Sequence, residues 1–82
     1  MKAPSATARQ REVLKLIADG AGAGLVPTVR ELGAVLGIKS TNGVNDHLRA
    51  LARKGLLERL GKSRARAMKV TTAGLRELRR AA

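Results

Sequence analysis

The segment STNGVNDHLRALAR, residues 40–53, combines weak helix formers with side chains that can hydrogen-bond the edges of bases. On a helical wheel, the apolar residues Val44, Leu48 and Leu51 fall within about 60° of one another and predict a buried side. The opposite side begins with short amides and a carboxylate and ends with two arginines. This outer stripe consists of Asn42, Asp46, Arg49 and Arg53, flanked by Gly43 and Asn45.

The outer stripe has the chemistry of a base-reading surface. An Asn amide can pair with adenine through both of its groups, an Asp can accept from the cytosine amino group, and a Ser hydroxyl can bond several base edges. Gly43 would allow a close approach to the bases, whereas the arginines would reach phosphates. This gradient suits a helix whose first turns enter a major groove. The residues predicted to contact base edges are Ser40, Asn42, Gly43, Asn45 and Asp46.

Simpler explanations exist for several of these residues, and the sequence leaves them open. Ser40 or Thr41 can serve only as the cap of the helix. Asp46 can form an i, i+3 ion pair with Arg49. His47 points towards the apolar edge, where a packed structural histidine is favoured over a ligand or a catalytic group.

Capping patterns predict the helices that would position this segment. Residues 7–10 and 28–31 have the spacing of capping boxes and predict the starts of two helices. The first helix should end near Gly20, because the sequence GAGAG is costly to keep helical. Gly37 suits a left-handed residue at the end of the second helix, and a third helix follows to about Lys54.

The remaining residues predict a hairpin and a fourth helix. The segments LLERL and RARAMKV have strand character, with a turn at residues 61–63 between them. In the second segment Arg66, Met68 and Val70 share one face, and Arg66 is expected at its rim. A C-terminal helix is predicted over about residues 72–80, capped by Thr71 or Thr72, with Leu75 and Leu78 facing inward.

This order of elements predicts a fold that is mainly α with a small β-hairpin. Three helices followed by two strands, with a short helix–turn–helix junction, are typical of a winged helix-turn-helix. The architecture is a three-helix core, a two-stranded wing and a short C-terminal helix. At 82 residues, we expect residues 1–82 to form a single domain.

The charge of the chain favours a polyanionic partner. Its formal net charge is +11, from 17 Lys and Arg residues against 6 acids. Between Arg49 and Lys69, eight cations and one acid give +7, although a basic solubilising surface is the alternative. We predict contacts with the DNA backbone, including contacts from the wing. The residues are Arg30, Lys39, Thr41, Arg49, Arg53, Lys54, Lys62, Arg64 and Arg66.

The composition argues against several other functions. There is no Phe, Trp or Tyr, so bases cannot stack on aromatic rings. No Cys and a single His argue against a metal site or thiol chemistry. We find no catalytic constellation, and GAGAG lacks the Lys of a P-loop. No apolar run reaches the ~20 residues of a membrane span. We therefore expect a cytoplasmic, nucleoid-associated protein that is not an enzyme and has no cofactor.

Three segments resemble the DNA-binding domain of the LexA family of bacterial SOS repressors. They are TARQREVLKLI (7–17), PTVRELGAVLGIKS (27–40) and HLRALARKGLLE (47–58), within a match of about residues 7–70. The resemblance implies a winged helix-turn-helix that binds double-stranded DNA with the N-terminal half of its recognition helix. That half contains the five predicted base-contacting residues. Asn45 replaces an acid found in some members, which implies a different half-site.

The resemblance does not extend to the family's second domain, which dimerises and cleaves itself. Ala73-Gly74 is the type of dipeptide that the family cuts, but we interpret it as a coincidence, and self-cleavage is not implied. A homodimer on palindromic sites stays open. The leading hypothesis is a LexA-like repressor that reads a short half-site in the major groove. The alternative is a winged-helix module that binds nucleic acid nonspecifically or docks onto protein.

Overall fold

The computed structural model describes residues 6–59 and 68–81, which form four helices and a two-stranded antiparallel sheet. In chain order the elements are α1 (Ala8–Gly22), α2 (Val29–Leu36), α3 (Thr41–Arg53), β1 (Leu57–Arg59), β2 (Met68–Val70) and α4 (Thr72–Ala81). This is the predicted winged helix-turn-helix. The predicted turn at 61–63 and the predicted rim position of Arg66 lie outside the described residues. Within the described residues, no helix is long and apolar enough to cross a bilayer.

Both predicted capping boxes are present. In the first, the Gln10 N–H donates to Thr7 Oγ1 at 3.2 Å, and Gln10 Oε1 accepts from the Thr7 N–H at 3.1 Å. In the second, the corresponding distances between Thr28 and Glu31 are 3.1 Å and 2.7 Å. Each box satisfies two backbone donors that a helix start would otherwise leave unpaired.

The end of α1 lies beyond the expected position near Gly20. The Ala23 N–H donates to the Asp19 carbonyl at 3.0 Å, so the helical pattern continues to Gly22. At Gly20, a β-carbon would lie 2.6 Å from both the Leu25 carbonyl oxygen and Cδ of Pro27. The glycine therefore allows the following loop to pack against the helix, and this tertiary contact offsets the entropic cost that predicted an earlier end.

The core is aliphatic and centres on α1, which packs against the other three helices and β2. Burial of each Leu, Ile or Val side chain contributes roughly 1.5–3 kcal/mol. The predicted buried side of α3 is confirmed, because Val44, Leu48 and Leu51 are fully buried. The other large core residues are Val13, Leu14, Ile17, Leu32, Leu56, Leu57 and Met68.

The C-terminal helix α4 presents a different face to the core from the one predicted. Leu75 is 44% exposed, whereas Glu77 is only 5% exposed. A β-carbon on Gly74 would overlap the carbonyl oxygen of Leu56. The backbone of α4 therefore packs against the backbone of Leu56 so closely that only glycine fits at this position. The prediction that Leu75 faces inward is wrong, because this contact fixes the rotation of α4. Leu78 packs against the core as predicted.

Thr71 caps α4 and ties it to the segment before β1. The Gly74 N–H donates to Thr71 Oγ1 at 3.0 Å, which makes Thr71 rather than Thr72 the cap. The same hydroxyl donates to the Gly55 carbonyl at 2.7 Å, and the Thr71 N–H donates to the Leu56 carbonyl at 3.1 Å. The helix start is therefore anchored in both position and direction.

The buried carboxylate of Glu77 joins the two ends of the fold. Its Oε2 accepts from the Ala6 N–H at 3.0 Å and lies 3.9 Å from Nη1 of Arg11. Arg11 also donates to the Ala6 carbonyl at 2.6 Å, and Arg80 lies 4.0 Å from the other Glu77 oxygen. Because an unpaired buried carboxylate is costly, these partners hold α4 and the N-terminal segment against α1.

Two Gly→Ala variants test the packing of α4. We expect Gly74→Ala to destabilise the fold by at least about 2 kcal/mol, because a methyl group must displace the Leu56 backbone. Gly22 has open space around its Cα, so Gly22→Ala should be neutral or stabilising by up to about 1 kcal/mol. Urea unfolding measures both values. Equal unfolding midpoints for wild type and Gly74→Ala would contradict the described contact.

Candidate nucleic-acid interface

A tight turn between α2 and α3 sets the direction of α3. Gly37 ends α2 with φ 72° and ψ 23°, the predicted left-handed conformation that glycine adopts without side-chain strain. The Ile38 N–H then donates to the Gly33 carbonyl at 2.9 Å, and the Ile38 side chain packs against the core. The turn is therefore held to α2 by this hydrogen bond and to the core by the Ile38 side chain before α3 begins.

Ser40 is the N-cap of α3. Its hydroxyl accepts from the Asn42 N–H at 3.2 Å, which settles the choice between Ser40 and Thr41. Such caps contribute about 1 kcal/mol. The side chain is exposed, so a base contact from Ser40 would have to coexist with this capping role or replace it.

The outer stripe is exposed opposite the buried side of α3. Asn42, Asp46, Arg49 and Arg53 are exposed, whereas Asn45 is half-buried. The fully buried residues lie on the opposite side of this helix, which packs against α1, α2 and β1. The structure therefore places Asn42 and Asp46 on one accessible face of a helix whose rotation the core determines, with Asn45 at the border of that face.

Gly43 lies at the edge of that face and has a packing role that the sequence did not indicate. It is half-buried, and a β-carbon there would lie 3.1 Å from Cγ2 of Ile38. The missing side chain thus lets the turn pack against the first turn of α3. Close approach of Gly43 to bases stays a prediction.

Asp46 and Arg49 form the i, i+3 pair that the sequence left open. Nη2 of Arg49 donates to Oδ1 of Asp46. The two side chains are 61% and 70% exposed for Arg49 and Asp46 respectively, so the pair contributes at most about 1 kcal/mol. A pair this weak can rearrange when a ligand offers competing hydrogen bonds, and it is compatible with a base contact from Asp46.

Three of the residues predicted to contact the DNA backbone line one cavity at the junction of α2 and α3. Arg30, Lys39 and Thr41 are exposed and line this space of about 370 Å³. Its apolar floor includes Ile38 and Val44. Since Thr41 is the first residue of α3, the positive end of the helix dipole lies at the cavity. Two cations, a hydroxyl and a helix N-terminus can together hold a phosphate group.

Lys54 is directed to α1. Its Nζ donates to Oε1 of Gln10 at 2.7 Å, and the side chain is half-buried. Gln10 therefore serves both the capping box of α1 and the end of α3. The 44-residue separation of the two partners leaves no local signal from which this contact could have been predicted. A backbone contact from Lys54 stays a prediction.

The wing is described only at its two strands. Glu58 lies opposite Lys69, and Arg59 lies opposite Met68 at the distal end of β1. Arg59 is exposed and becomes a further candidate. Strand alternation could not have indicated it, because alternation places Arg59 on the same face as the buried Leu57. The predicted wing contacts from Lys62, Arg64 and Arg66 lie outside the described residues and stay predictions.

His47 is half-buried beside the apolar side of α3. Across residues 6–59 and 68–81, no group of three or more His, Cys, Asp or Glu side chains is placed to hold a metal ion.

Comparison with known proteins assigns the family. The family model of the LexA DNA binding domain matches residues 4–67. This chain belongs to that family. The LexA match includes α2, the turn and all of α3, and therefore the outer stripe and the cavity beside it.

Individual LexA repressors share this part of the sequence. The chain is 59% identical over 54 residues to the LexA repressor of Sorangium cellulosum, which covers 65% of this chain and 24% of that protein. It is 50% identical over 66 residues to the LexA repressor of Myxococcus xanthus, covering 79% and 29%. It is 48% identical over 59 residues to the LexA repressor of Acidovorax sp. (strain JS42), and this match covers 71% of this chain and 26% of that protein. The chain thus spans about a quarter of the length of these relatives.

Substitutions on the two sides of α3 should affect stability very differently. We expect Asn42→Ala and Asp46→Ala to change the free energy of unfolding by no more than about 0.5 kcal/mol, because both side chains are exposed. Leu48→Ala on the buried side should cost about 2–5 kcal/mol. Chemical unfolding of the free protein provides the measurement. A loss above about 1 kcal/mol for Asn42→Ala would mean that the stripe supports the fold instead of a ligand.

Proposed function

We propose that this protein is a transcriptional repressor that binds double-stranded DNA sequence-specifically through the outer stripe of α3. The observation that carries the proposal is that Asn42 and Asp46 are exposed, with the half-buried Asn45 beside them, on a helix whose rotation is fixed by its buried side. Membership of the LexA DNA-binding domain family supports the choice of DNA as the ligand. The relatives named above are LexA repressors, which supports repression as the consequence.

In this proposal, the first two turns of α3 enter the major groove. The side chains of Asn42, Asn45 and Asp46 contact base edges, where each well-placed bidentate contact discriminates by about 1–3 kcal/mol. Ser40 contributes from the capping position, and Gly43 permits the approach. Because Asn42 and Asp46 are four residues apart on one face, their side chains would reach adjacent parts of a short half-site.

Phosphate contacts on both sides of this helix would supply the sequence-independent part of the affinity. Arg30, Lys39 and Thr41 would hold one phosphate at the start of α3, while Arg49 and Arg53 reach the backbone further along. The predicted wing cations and Arg59 would grip a neighbouring stretch of DNA. The net charge of +11 would steer the protein towards DNA over distances of about a Debye length.

The proposal includes no catalytic step or cofactor, and it places the protein at bacterial chromosomal DNA in the cytoplasm. A nonspecific nucleic-acid-binding module is the second candidate, and the strong excess of cations in residues 49–69 favours it. The two functions depend on different residues. A nonspecific binder needs the cations alone, whereas a repressor that reads sequence also needs the amides of the outer stripe.

Selection from randomised duplex DNA at about 150 mM salt distinguishes the two candidates. We expect wild type to enrich a short half-site. Asn42→Ala should relax the base preference at the positions that it contacts, whereas Arg53→Ala should weaken all sequences about equally. Arg76→Ala, an exposed arginine on α4, is the matched control and should change neither. If wild type enriches no sequence, the repressor proposal fails and the nonspecific module is favoured.

The salt dependence of binding measures the phosphate contacts. If about six phosphates are neutralised, log K should fall with log[salt] at a slope near −5. Arg30→Ala and Arg53→Ala should each reduce the size of this slope by about 1, since each removes one phosphate contact. Fluorescence anisotropy with a single-half-site duplex gives the slopes. An unchanged slope for Arg30→Ala would mean that the cavity beside α3 does not hold a phosphate of the DNA.

A further inference from the structure

The only two asparagines of the chain lie in α3, and one of them is followed by a glycine. Asn42 precedes Gly43, whereas Asn45 precedes Asp46. A side-chain amide is lost most readily from an asparagine that precedes glycine, because no β-carbon shields the next backbone nitrogen and the backbone can adopt many conformations. This covalent chemistry is therefore directed at a residue that is proposed to contact bases.

The Asn42 side chain is accessible in the free protein. It is exposed, and its backbone N–H donates to Oγ of Ser40 at 3.2 Å. Within the described residues, 6–59 and 68–81, no group forms a hydrogen bond with its side-chain amide. The fold thus leaves the carbonyl carbon of this amide open to attack and to water.

The start of α3 holds the attacking nitrogen loosely. The Gly43 N–H donates to the Ser40 carbonyl at 3.1 Å, and the Val44 N–H donates to the same oxygen at 3.4 Å. Shared hydrogen bonds of this kind are common at helix ends, where local opening costs little free energy. Glycine is also the poorest helix former after proline. The first turn of α3 therefore opens more readily than the rest of the helix.

We propose that Asn42 deamidates spontaneously in the free protein and that this modification changes the base preference of α3. Hydroxide removes the proton of the Gly43 N–H, and the nitrogen forms a bond to Cγ of Asn42. The bond from Cγ to the side-chain nitrogen breaks, and this nitrogen takes up a proton from water and leaves as ammonia. Water then adds to either carbonyl of the resulting cyclic imide, which opens to an aspartate or an isoaspartate at position 42.

The conformation of the first turn controls the rate. In a helix, ψ of about −42° holds the Gly43 nitrogen away from the Asn42 side chain, so the ring closes only when the turn is open. The Ser40 cap favours the closed turn. A duplex bound by the first two turns of α3 would favour it further, because an open turn cannot make the proposed contacts. This protection by DNA rests on the proposed function.

The product differs from Asn42 in the properties that base contacts use. Asn42 can both donate to and accept from adenine, whereas a carboxylate only accepts, as from the cytosine amino group. The isoaspartate form also adds a methylene group to the backbone. The new negative charge lies at the positive end of the helix dipole, next to Thr41 and the cations Arg30 and Lys39. Deamidation would thus alter recognition without unfolding α3, in proportion to the time that the protein spends away from its site.

Peptide mapping by mass spectrometry, on full-length protein aged in mildly alkaline buffer without DNA, tests the modification. We expect aspartate and isoaspartate to accumulate at position 42. Asn45 is the internal control and should keep its amide, because it is half-buried and is not followed by glycine. Equal rates at Asn42 and Asn45 would overturn the proposal. So would an intact Asn42 after a period in which a free peptide of residues 39–46 has lost this amide completely.

Three variants test the route. Gly43→Ala should slow the reaction at least about tenfold, since a β-carbon shields the nitrogen and restricts the backbone. Ser40→Ala should accelerate it roughly fivefold, the factor by which loss of a typical cap favours the open turn. Gly22→Ala, at a glycine of α1 with open space around it, is the matched control and should leave the rate unchanged. An unchanged rate in Gly43→Ala would refute attack by this nitrogen, and an unchanged rate in Ser40→Ala would refute control by the first turn.

A measurement with DNA connects the modification to the proposed function. A duplex carrying the selected half-site, at a free concentration about ten times its Kd, should slow the loss of the amide roughly tenfold. Aged protein and Asn42→Asp should show the same altered base preference in the selection. Equal rates with and without bound half-site would overturn the protective role, and an unaltered preference in Asn42→Asp would overturn the effect on recognition. If wild type enriches no sequence, the proposed function fails instead, while the DNA-free rates still decide the modification.

Discussion

The rotation of α3 about its own axis is the constraint on which the rest of the molecule depends. Val44, Leu48 and Leu51 are fully buried on one side of this helix, and together they contribute roughly 5–9 kcal/mol at about 1.5–3 kcal/mol each. Small domains have total stabilities of about 5–15 kcal/mol, so no other rotation is accessible to the folded protein. The direction in which Asn42 and Asp46 point is thus a consequence of core packing.

The residues that stabilise the fold and the residues proposed to contact DNA therefore lie on opposite sides of one helix. The buried side tolerates little change, whereas the outer stripe adds little to stability and is available to a ligand. The weak Asp46–Arg49 pair fits this division, because it keeps two opposite charges together without fixing them. On α4 the division is different, since the close contact of Gly74 and the buried Glu77 set the rotation. Leu75 is left outside, and an apolar residue becomes part of the accessible surface.

The cations of the chain differ in what they can contact, although the sequence presents them as one excess of positive charge. Lys54 donates to Gln10 and joins α3 to α1, while Arg11 holds the N-terminal segment together with Glu77. Arg30 and Lys39 instead converge on the cavity at the start of α3. Net charge thus predicts a polyanionic partner, whereas the placement of each side chain decides which cations are available to that partner.

Features determined within a few residues of sequence were predictable. The two capping boxes, the left-handed Gly37 and the buried side of α3 depend on neighbours up to one or two helical turns away, and all were confirmed. The assignment of the outer stripe to base contacts also follows from such local spacing and remains a prediction. Tertiary structure alone decided the face of α4, the extension of α1 past Gly20 and the partner of Lys54. Each of these features depends on an atom that is distant in the sequence or lies across a loop. Where helical periodicity conflicts with such a contact, a close backbone approach or a buried carboxylate decides the structure.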